Sequence, residues 1–270
     1  MISVVIPVGP GRDDNLRLVL HSLSLQTYRD YEIVLVTNAT SLSWVSEEYP
    51  TVSVHYVPHE KPNLASINRN VGVAKSHGDH IVFIDSDVVL CKEALSYYAE
   101  NWHNFSERVI IGPYHWLPPM AVTKKDVEEW GRLIEGTLPR IPHPGRHNIG
   151  RDGRSCFHNS PDLLFCDYPS CLSMLSGNMG ISRRMYDYIG GFDEDLPRAE
   201  DGAFGIACCA AGFQWSYDGR IVGGHLYHER DAATMALDPI PLIIAKWHKD
   251  DSWIGKMKWG QVSKDRIVTT

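Results

Sequence analysis

The stretch Asn68–Asp87, NRNVGVAKSHGDHIVFIDSD, decides the fold. Its first part, from about Ser66, carries Ala and Val at helical spacing. This predicts a helix that closes at Gly78, a residue type suited to the left-handed helix end. The chain then passes directly into HIVFI, apolar through Ile84 and abruptly acidic at Asp85-Ser86-Asp87. That pattern predicts a central buried strand whose carboxyl end emerges at the acidic triplet. Ligands of open α/β sheets sit beyond the carboxyl ends of strands, so the triplet marks the expected site.

Upstream, SVVIPV reads as a first strand, followed by a helix from about Asp14 to Gln26 and the strands YEIVLVT and VSVHYV. Strands alternating with helices imply an α/β fold: a mostly parallel, Rossmann-like central sheet flanked by helices. Downstream, a helix over Lys92–Asn104 leads to the strand VIIGPY. Leu138–Pro169 is rich in Pro, Gly, Arg, His and Asn and has no period, which is too long for an ordinary connector and reads as a mobile loop or lid. Arg183–Ile189 and Asp201–Ala211 read as helices, and residues 231–270 as a C-terminal helical extension.

A chain of 270 residues that is 43% apolar can bury a substantial core as a single fused domain. Its net charge of −7 argues against the basic face that grips a nucleic-acid backbone. An anionic ligand therefore needs a local device. The opening MISVVIPVGP lacks the charged region and long apolar run of a signal peptide. The other apolar runs fall short of the ~20 residues that cross a bilayer, so no membrane span is expected. Six cysteines without a CxxC pair read as reduced thiols in a cytoplasmic protein.

Adjacent phosphates can be neutralised without a basic groove by a hard divalent cation held on carboxylates. Asp85 and Asp87, one residue apart at a strand end, suit that chemistry, one holding the metal while the other reaches a ribose or a metal-bound water. An acidic turn is the bland alternative.

NRNVGVAKSHGDHIVFIDSD resembles the segment leading into the metal site of family 2 glycosyltransferases, an Arg-Asn-x-Gly helix followed by a strand ending in DSD. The opening VVIPVGPGRDDNLRLVLHSLSLQTYRDYEIVLVTNAT is similar to that family's first strand, helix and second strand. The resemblance covers about residues 1–110. It implies a GT-A fold, a nucleotide-sugar donor and a divalent cation, Mn²⁺ or Mg²⁺. Where the family often carries an acidic residue after the second strand this chain has Asn38, whose amide can still hydrogen-bond a base. Pro7 ends the first strand and either shapes the base pocket or is an ordinary strand-end proline. Asp14 and Arg69 stand near positions where the family has acidic and basic residues facing the nucleotide, with surface helix residues as the alternative.

The second half, SGNMGISRRMYDYIGGFDEDLPRAEDGAFGIACCAAGF, resembles the β-1,4-galactosyltransferase-like group, in which a Gly-rich turn contacts the donor and a Glu-Asp pair starts a helix. It departs from that pattern where Leu-Pro-Arg-Ala precedes the acidic pair. The resemblance implies donor contacts at Gly177 and Asn178 and a catalytic pair at Glu200 and Asp201, with Asp201 as general base for an acceptor hydroxyl. A helix-start acidic pair favoured by the macrodipole is the alternative. In HLYHERD, His228 fits the histidine that completes the metal shell in that group, with His225 second. An imidazole beside oxygen ligands favours Mn²⁺ over Mg²⁺. His143, His147 and His158 follow no usual zinc spacing.

The expected function is metal-dependent transfer of a sugar from a nucleotide diphosphate, a UDP-sugar, to a hydroxyl of a glycan or other acceptor. Inversion is implied by the resemblance, with a retaining enzyme that shares the DxD and the fold as the alternative. Residues 1–110 would form the nucleotide-sugar half and 111–230 the acceptor and catalytic half. A sugar-1-phosphate nucleotidyltransferase is an alternative, disfavoured because Pro10 removes a backbone donor from Gly9-Pro10-Gly11-Arg12. A non-catalytic nucleotide-sugar-binding module is another.

Overall fold

Strand β1 (Ile2–Val8) is buried at every position, as a strand covered on both faces must be. Its alternation separates two cores. Val4, Ile6 and Val8 join one, with Leu16, Leu20 and Leu23 of helix α1 (Asp13–Ser24). Val5 joins the other, with Val73 of α3 (Ala65–Lys75). Strand β4 (His80–Ile84) divides likewise, Val82 and Ile84 to the first core and Ile81 and Phe83 to the second. The computed structural model from which these contacts are taken describes residues 1–38, 42–57, 65–135, 176–196 and 200–228.

Between α1 and α3 lie β2 (Tyr31–Thr37), α2 (Ser43–Glu48) and β3 (Ser53–Tyr56). After β4 come β5 (Val88–Leu90), α4 (Ala94–Asn104), β6 (Arg108–Ile111), β7 (Tyr114–Trp116), α5 (Lys124–Glu128) and α6 (Trp130–Glu135). The second half supplies β8 (Asn178–Ser182), α7 (Arg183–Ile189), α8 (Glu200–Ala210), β9 (Gln214–Tyr217) and β10 (Gly223–His225). The main sheet runs β3-β2-β1-β4-β8-β6-β9, and β5-β10-β7 form a smaller one. The main sheet is mostly parallel, as expected for GT-A, but β8 enters antiparallel between β4 and β6. The expected lid over 138–169 and the extension over 231–270 lie outside the described residues. No described helix is long and apolar enough to cross a membrane. Cys91 and Cys208 are buried free thiols.

Gly78 corrects one expectation. Helix α3 ends at Lys75, and Gly78 is not among the glycines of positive φ. Its need is close approach: a Cβ there would lie 2.5 Å from Ser3 Oγ and 2.8 Å from the Met1 carbonyl oxygen. The Gly78 N–H donates to Ser3 Oγ at 2.7 Å, locking the entry of β4 onto β1.

Strand β8 meets a similar constraint at its centre. A Cβ on Gly180 would stand 2.7 Å from the Tyr98 ring and 2.8 Å from that of Trp102. Those rings are buried and stacked on each other at 5.5 Å between centroids, so neither can yield cheaply. Gly180→Ala is therefore expected to destabilise the fold by ~1–3 kcal/mol through overpacking. Urea denaturation checks this, and an unchanged midpoint would show that α4 shifts freely over the sheet.

Candidate active site

The DSD triplet spans the turn between β4 and β5, closed by the Val88 N–H donating to the Asp85 carbonyl at 3.0 Å. The two carboxylates diverge. Asp87 is buried, whereas the Asp85 side chain is 32% exposed. Antiparallel pairing of β5 with β10 places His225 opposite Val88, and the Leu226 N–H donates to the Asp87 carbonyl at 2.8 Å. This register brings His225 Nε2 to 3.5 Å from Asp87 Oδ1 and His228 Nε2 to 3.1 Å from Asp87 Oδ2.

Burial alone would raise the Asp87 carboxyl. The His228 hydrogen bond, the two imidazoles and Arg12 bring it below the ordinary range, so it is an anion at neutral pH. Burial lowers the His225 imidazole against the pull of Asp87 and Asp85. One ligand atom from each of Asp87, His225 and His228 lies within 4.8 Å of the others. Asp87 Oδ1 is buried and accepts no hydrogen bond. A buried carboxylate whose two oxygens each face an imidazole is a donor set that fits a divalent cation.

Asp85 is held differently. Arg69, on α3 and 5% exposed, donates from Nη2 to Asp85 Oδ1 at 2.8 Å and from Nη1 to Glu200 Oε1 at 2.5 Å. One guanidinium thus ties the end of β4 to the start of α8. Burial opposes the Arg69 charge, but Asp85, Glu200 and Asp201 together raise its pKa. Beside it, burial and the Glu200 carboxylate push the Asp201 carboxyl up to about 6, against the pull of Arg69 and the Gly202 N–H. A carboxylate of raised affinity for protons suits a general base.

Pro7, Arg69, Asp85, Asp87, His225 and His228 line one cleft, and Gly9, Ala65, Asn68 and Ser86 complete its lining. Asn38 stands just beyond the end of β2 with a buried Oδ1 that accepts no hydrogen bond. Other expected residues lie elsewhere. Asp14 is exposed on the first turn of α1, outside the cleft lining. Gly177 is buried in the turn before β8, also outside it. The Asn178 side chain serves the scaffold: Nδ2 donates to the Pro113 and Ile221 carbonyls at 3.0 and 2.9 Å, and Oδ1 accepts from the Tyr98 hydroxyl at 2.9 Å. Asp85 stands outside the Asp87–His225–His228 group, since its carboxylate is engaged by Arg69.

Three contributors escape a reading of the sequence. Asn68, one residue before Arg69, reaches the cleft with a buried Oδ1 lacking a hydrogen-bond partner; its place in NRN was the available signal. Asn70 clamps α3 to the loop before α8, donating to the Phe192 carbonyl at 2.9 Å and to Glu194 at 2.7 Å. Trp116 stacks on His225 at 4.0 Å, through parallel pairing of β7 with β10. Nothing local in the sequence announces that pairing.

The glycosyl transferase family 2 model matches residues 3–168, more than half of the chain, including the DSD turn and Arg69. The chain belongs to that family. Among curated relatives of this family 2 chain, an uncharacterized glycosyltransferase of Haemophilus influenzae is 28% identical over 105 residues, covering 37% of this chain and 35% of its own. Glycosyltransferase GlyA of Streptococcus pneumoniae is 28% identical over 132 residues, 43% of this chain and 19% of its own. The family 2 chain therefore spans about a third or less of the length of these relatives.

In fold it is similar to S. aureus TarS residues 1–349 in complex with UDP-GlcNAc, with a TM-score of 0.67 at 16% identity, covering 99% of this chain and 70% of that one. It is also similar to the mannosyltransferase PcManGT of Pyrobaculum calidifontis in complex with GDP-Man and Mn²⁺. There the TM-score is 0.61 at 12% identity, covering 93% and 65%. These likenesses establish the GT-A fold of the family 2 chain.

Proposed function

We propose that this chain transfers a sugar from a UDP-sugar to a hydroxyl of a glycan or related acceptor, with inversion at the anomeric carbon and a requirement for a divalent cation, Mn²⁺ ahead of Mg²⁺. The observation that carries the reading is the Arg69 bridge. It ties Asp85, in the cleft that also holds Asp87, His225 and His228, to Glu200, which with Asp201 stands behind Arg69 and outside the cleft lining; this link supports base chemistry beside the leaving-group site. Resemblance to the β-1,4-galactosyltransferase-like group supports the roles of Asp201 and His228. Asn38 is compatible with uracil, as it is with guanine, because its open Oδ1 can accept from a ring N–H.

In the proposed reaction the Asp201 carboxylate takes the proton of the acceptor O–H as that oxygen forms a bond to the anomeric carbon. The bond from this carbon to the diphosphate oxygen breaks, and its electron pair leaves on the diphosphate. A divalent cation held by Asp87 and His228 would offset the charge that builds there. Direct displacement from the face opposite the leaving group inverts the centre. Pro7 and Gly9, at the end of β1, shape the wall beside the nucleotide. The buried free thiols Cys91 and Cys208 suit a cytoplasmic setting, to which we assign the protein.

The test is calorimetric titration of UDP and of a panel of UDP- and GDP-sugars with and without Mn²⁺, in the wild type and in Asp87→Ala. Mn²⁺ should strengthen binding of a UDP-sugar in the wild type by tenfold or more, roughly 1.4 kcal/mol, and this gain should vanish in the variant. Equal Mn²⁺-dependent affinity in both proteins would refute the metal role of Asp87. Preference for GDP-sugars would refute the base assignment.

A further inference from the structure

We infer that Asn70 is a positioning residue for the proposed transfer: by gripping the main chain of Phe192 it sets where the Arg69 guanidinium and the Glu200–Asp201 pair stand. The inference rests on the proposed function, which assigns that pair to the acceptor's proton.

Asn70 follows Arg69 on α3, so the two side chains leave the helix about 100° apart. Arg69 reaches Asp85 and Glu200, whereas Asn70 reaches the chain between α7 and α8. Its amide uses all four of its hydrogen-bonding capacities. Oδ1 accepts from the Phe192 N–H at 2.8 Å and from the Tyr186 hydroxyl at 2.5 Å. Nδ2 donates to the Phe192 carbonyl at 2.9 Å and to Glu194 Oε1 at 2.7 Å. Holding both the N–H and the carbonyl of one residue needs a group that donates and accepts at once. A carboxylate or an ammonium cannot do this. Gly191 lets the chain come so near: its φ is 84°, and a Cβ there would lie 2.8 Å from Asn70 Oδ1.

Phe192 passes that grip on to the catalytic pair. Its ring, 3% exposed, stacks on Phe204 of α8 with centroids 4.4 Å apart and stands edge-on to Phe83 of β4 at 5.1 Å. The Arg69 guanidinium lies over the same ring, its central carbon 5.3 Å from the centroid, within range of a cation–π contact. Phe204 follows Glu200 by four residues and so shares its face of α8. A shift of Phe192 therefore moves the first turn of α8 and the guanidinium bound to it. Burial would keep the ring in the core without Asn70, but burial has no direction. The hydrogen bonds of Asn70 fix where against α3 the ring sits.

The experiment compares wild type with Asn70→Ala, following UDP released from the UDP-sugar that binds tightest in calorimetry, with water as the acceptor. A 1 Å misplacement far from the chemistry can cost ~10²-fold, so kcat should fall by about that factor. The KM and the calorimetric affinity for the UDP-sugar should stay within a few-fold, because Asn70 is not part of the cleft lining. Asn70→Asp sets two carboxylates against each other, and adding Glu194→Gln reverses the direction of that hydrogen bond and should restore part of kcat. Circular dichroism shows whether Asn70→Ala is folded, and if it is not, Asn70→Asp with and without Glu194→Gln carries the comparison. Asn70 makes no hydrogen bond to Glu200, so urea denaturation of Asn70→Ala, Glu200→Gln and the double variant reads their coupling through Phe192 and Arg69. Non-additive costs are expected. Normal kcat in folded Asn70→Ala, a loss of donor affinity equal to the loss of kcat, or strictly additive costs would overturn the inference. Non-additive costs in a chain that binds no UDP-sugar would leave the linkage standing and refute the proposed function.

Discussion

Asp201→Asn is expected to lower sugar transfer by ~10²–10⁴-fold, the usual contribution of a positioned general base, while UDP-sugar and Mn²⁺ affinities stay within a few-fold. Asparagine keeps the size and the oxygen that accepts from the Gly202 N–H at 2.7 Å, and it is a favourable residue at a helix start. What it removes is the carboxylate that burial and Glu200 push up to about 6. That group must be deprotonated to act, so wild-type kcat/KM should rise with pH through about 6 and level off above it. Residual activity of the variant should lack this rise.

Stability responds with the opposite sense. The folded-state carboxyl holds its proton more tightly than the unfolded one, whose pKa is ~3.9. Its favourable contribution is present below about 4 and is lost as pH climbs through the folded value of about 6. Asp201→Asn should therefore raise the Tm relative to wild type at pH 8 and leave it nearly unchanged at pH 4. Near-normal transfer by a folded variant would make Asp201 structural and turn attention to Glu200 or Asp195. Loss of donor binding together with transfer would move the pair to sugar recognition.

Arg69→Met should be the most damaging single change to the fold of the site. It keeps the length of the buried stem but strands Asp85 and Glu200, whose shared cation is the guanidinium held at 2.8 and 2.5 Å. Removing one partner of a buried ion pair costs ~3–5 kcal/mol, because the other charge remains without compensation. Chemical denaturation should read a loss of that size, and Arg69→Met/Glu200→Gln should recover part of it. Arg69→Lys should recover less than its charge suggests, since one ammonium cannot reproduce the fork that spans both carboxylates. With the guanidinium gone, the Asp201 carboxyl loses a cation that lowers it, so the acid limb of activity should move to higher pH. Wild-type stability in Arg69→Met would mean that water already screens the cluster.

Much of the framework was legible because it is local. The apolar run ending at Asp85-Ser86-Asp87 sits where a strand had to end, and β4 stops at Ile84. Arg183–Ile189 was readable as a helix and is one, with Ser182 capping its start and Gly190 in the left-handed conformation at its end. Helix α8 begins at Glu200, one residue before the start read from the pattern. In each case periodicity, a turn residue or a charge step falls within a few neighbours along the chain.

The sequence by itself determined the α/β class, the strand that carries the DSD turn, and the residue types present for metal and base chemistry. Tertiary structure alone decided which of them meet. Asp87 faces His225 and His228 because β5 pairs with β10, over a separation that hydrophobic period cannot encode. Asp85 turns to Arg69, and Arg69 to Glu200 from 131 residues away, because helices α3 and α8 pack on the same face of the sheet. Asn178, read as a donor contact, became a buried brace since β8 runs antiparallel into the centre of the sheet, where an amide must satisfy its hydrogen bonds within the protein. Strand order and helix docking are chosen by long-range burial, and local pattern determines the elements but not their partners.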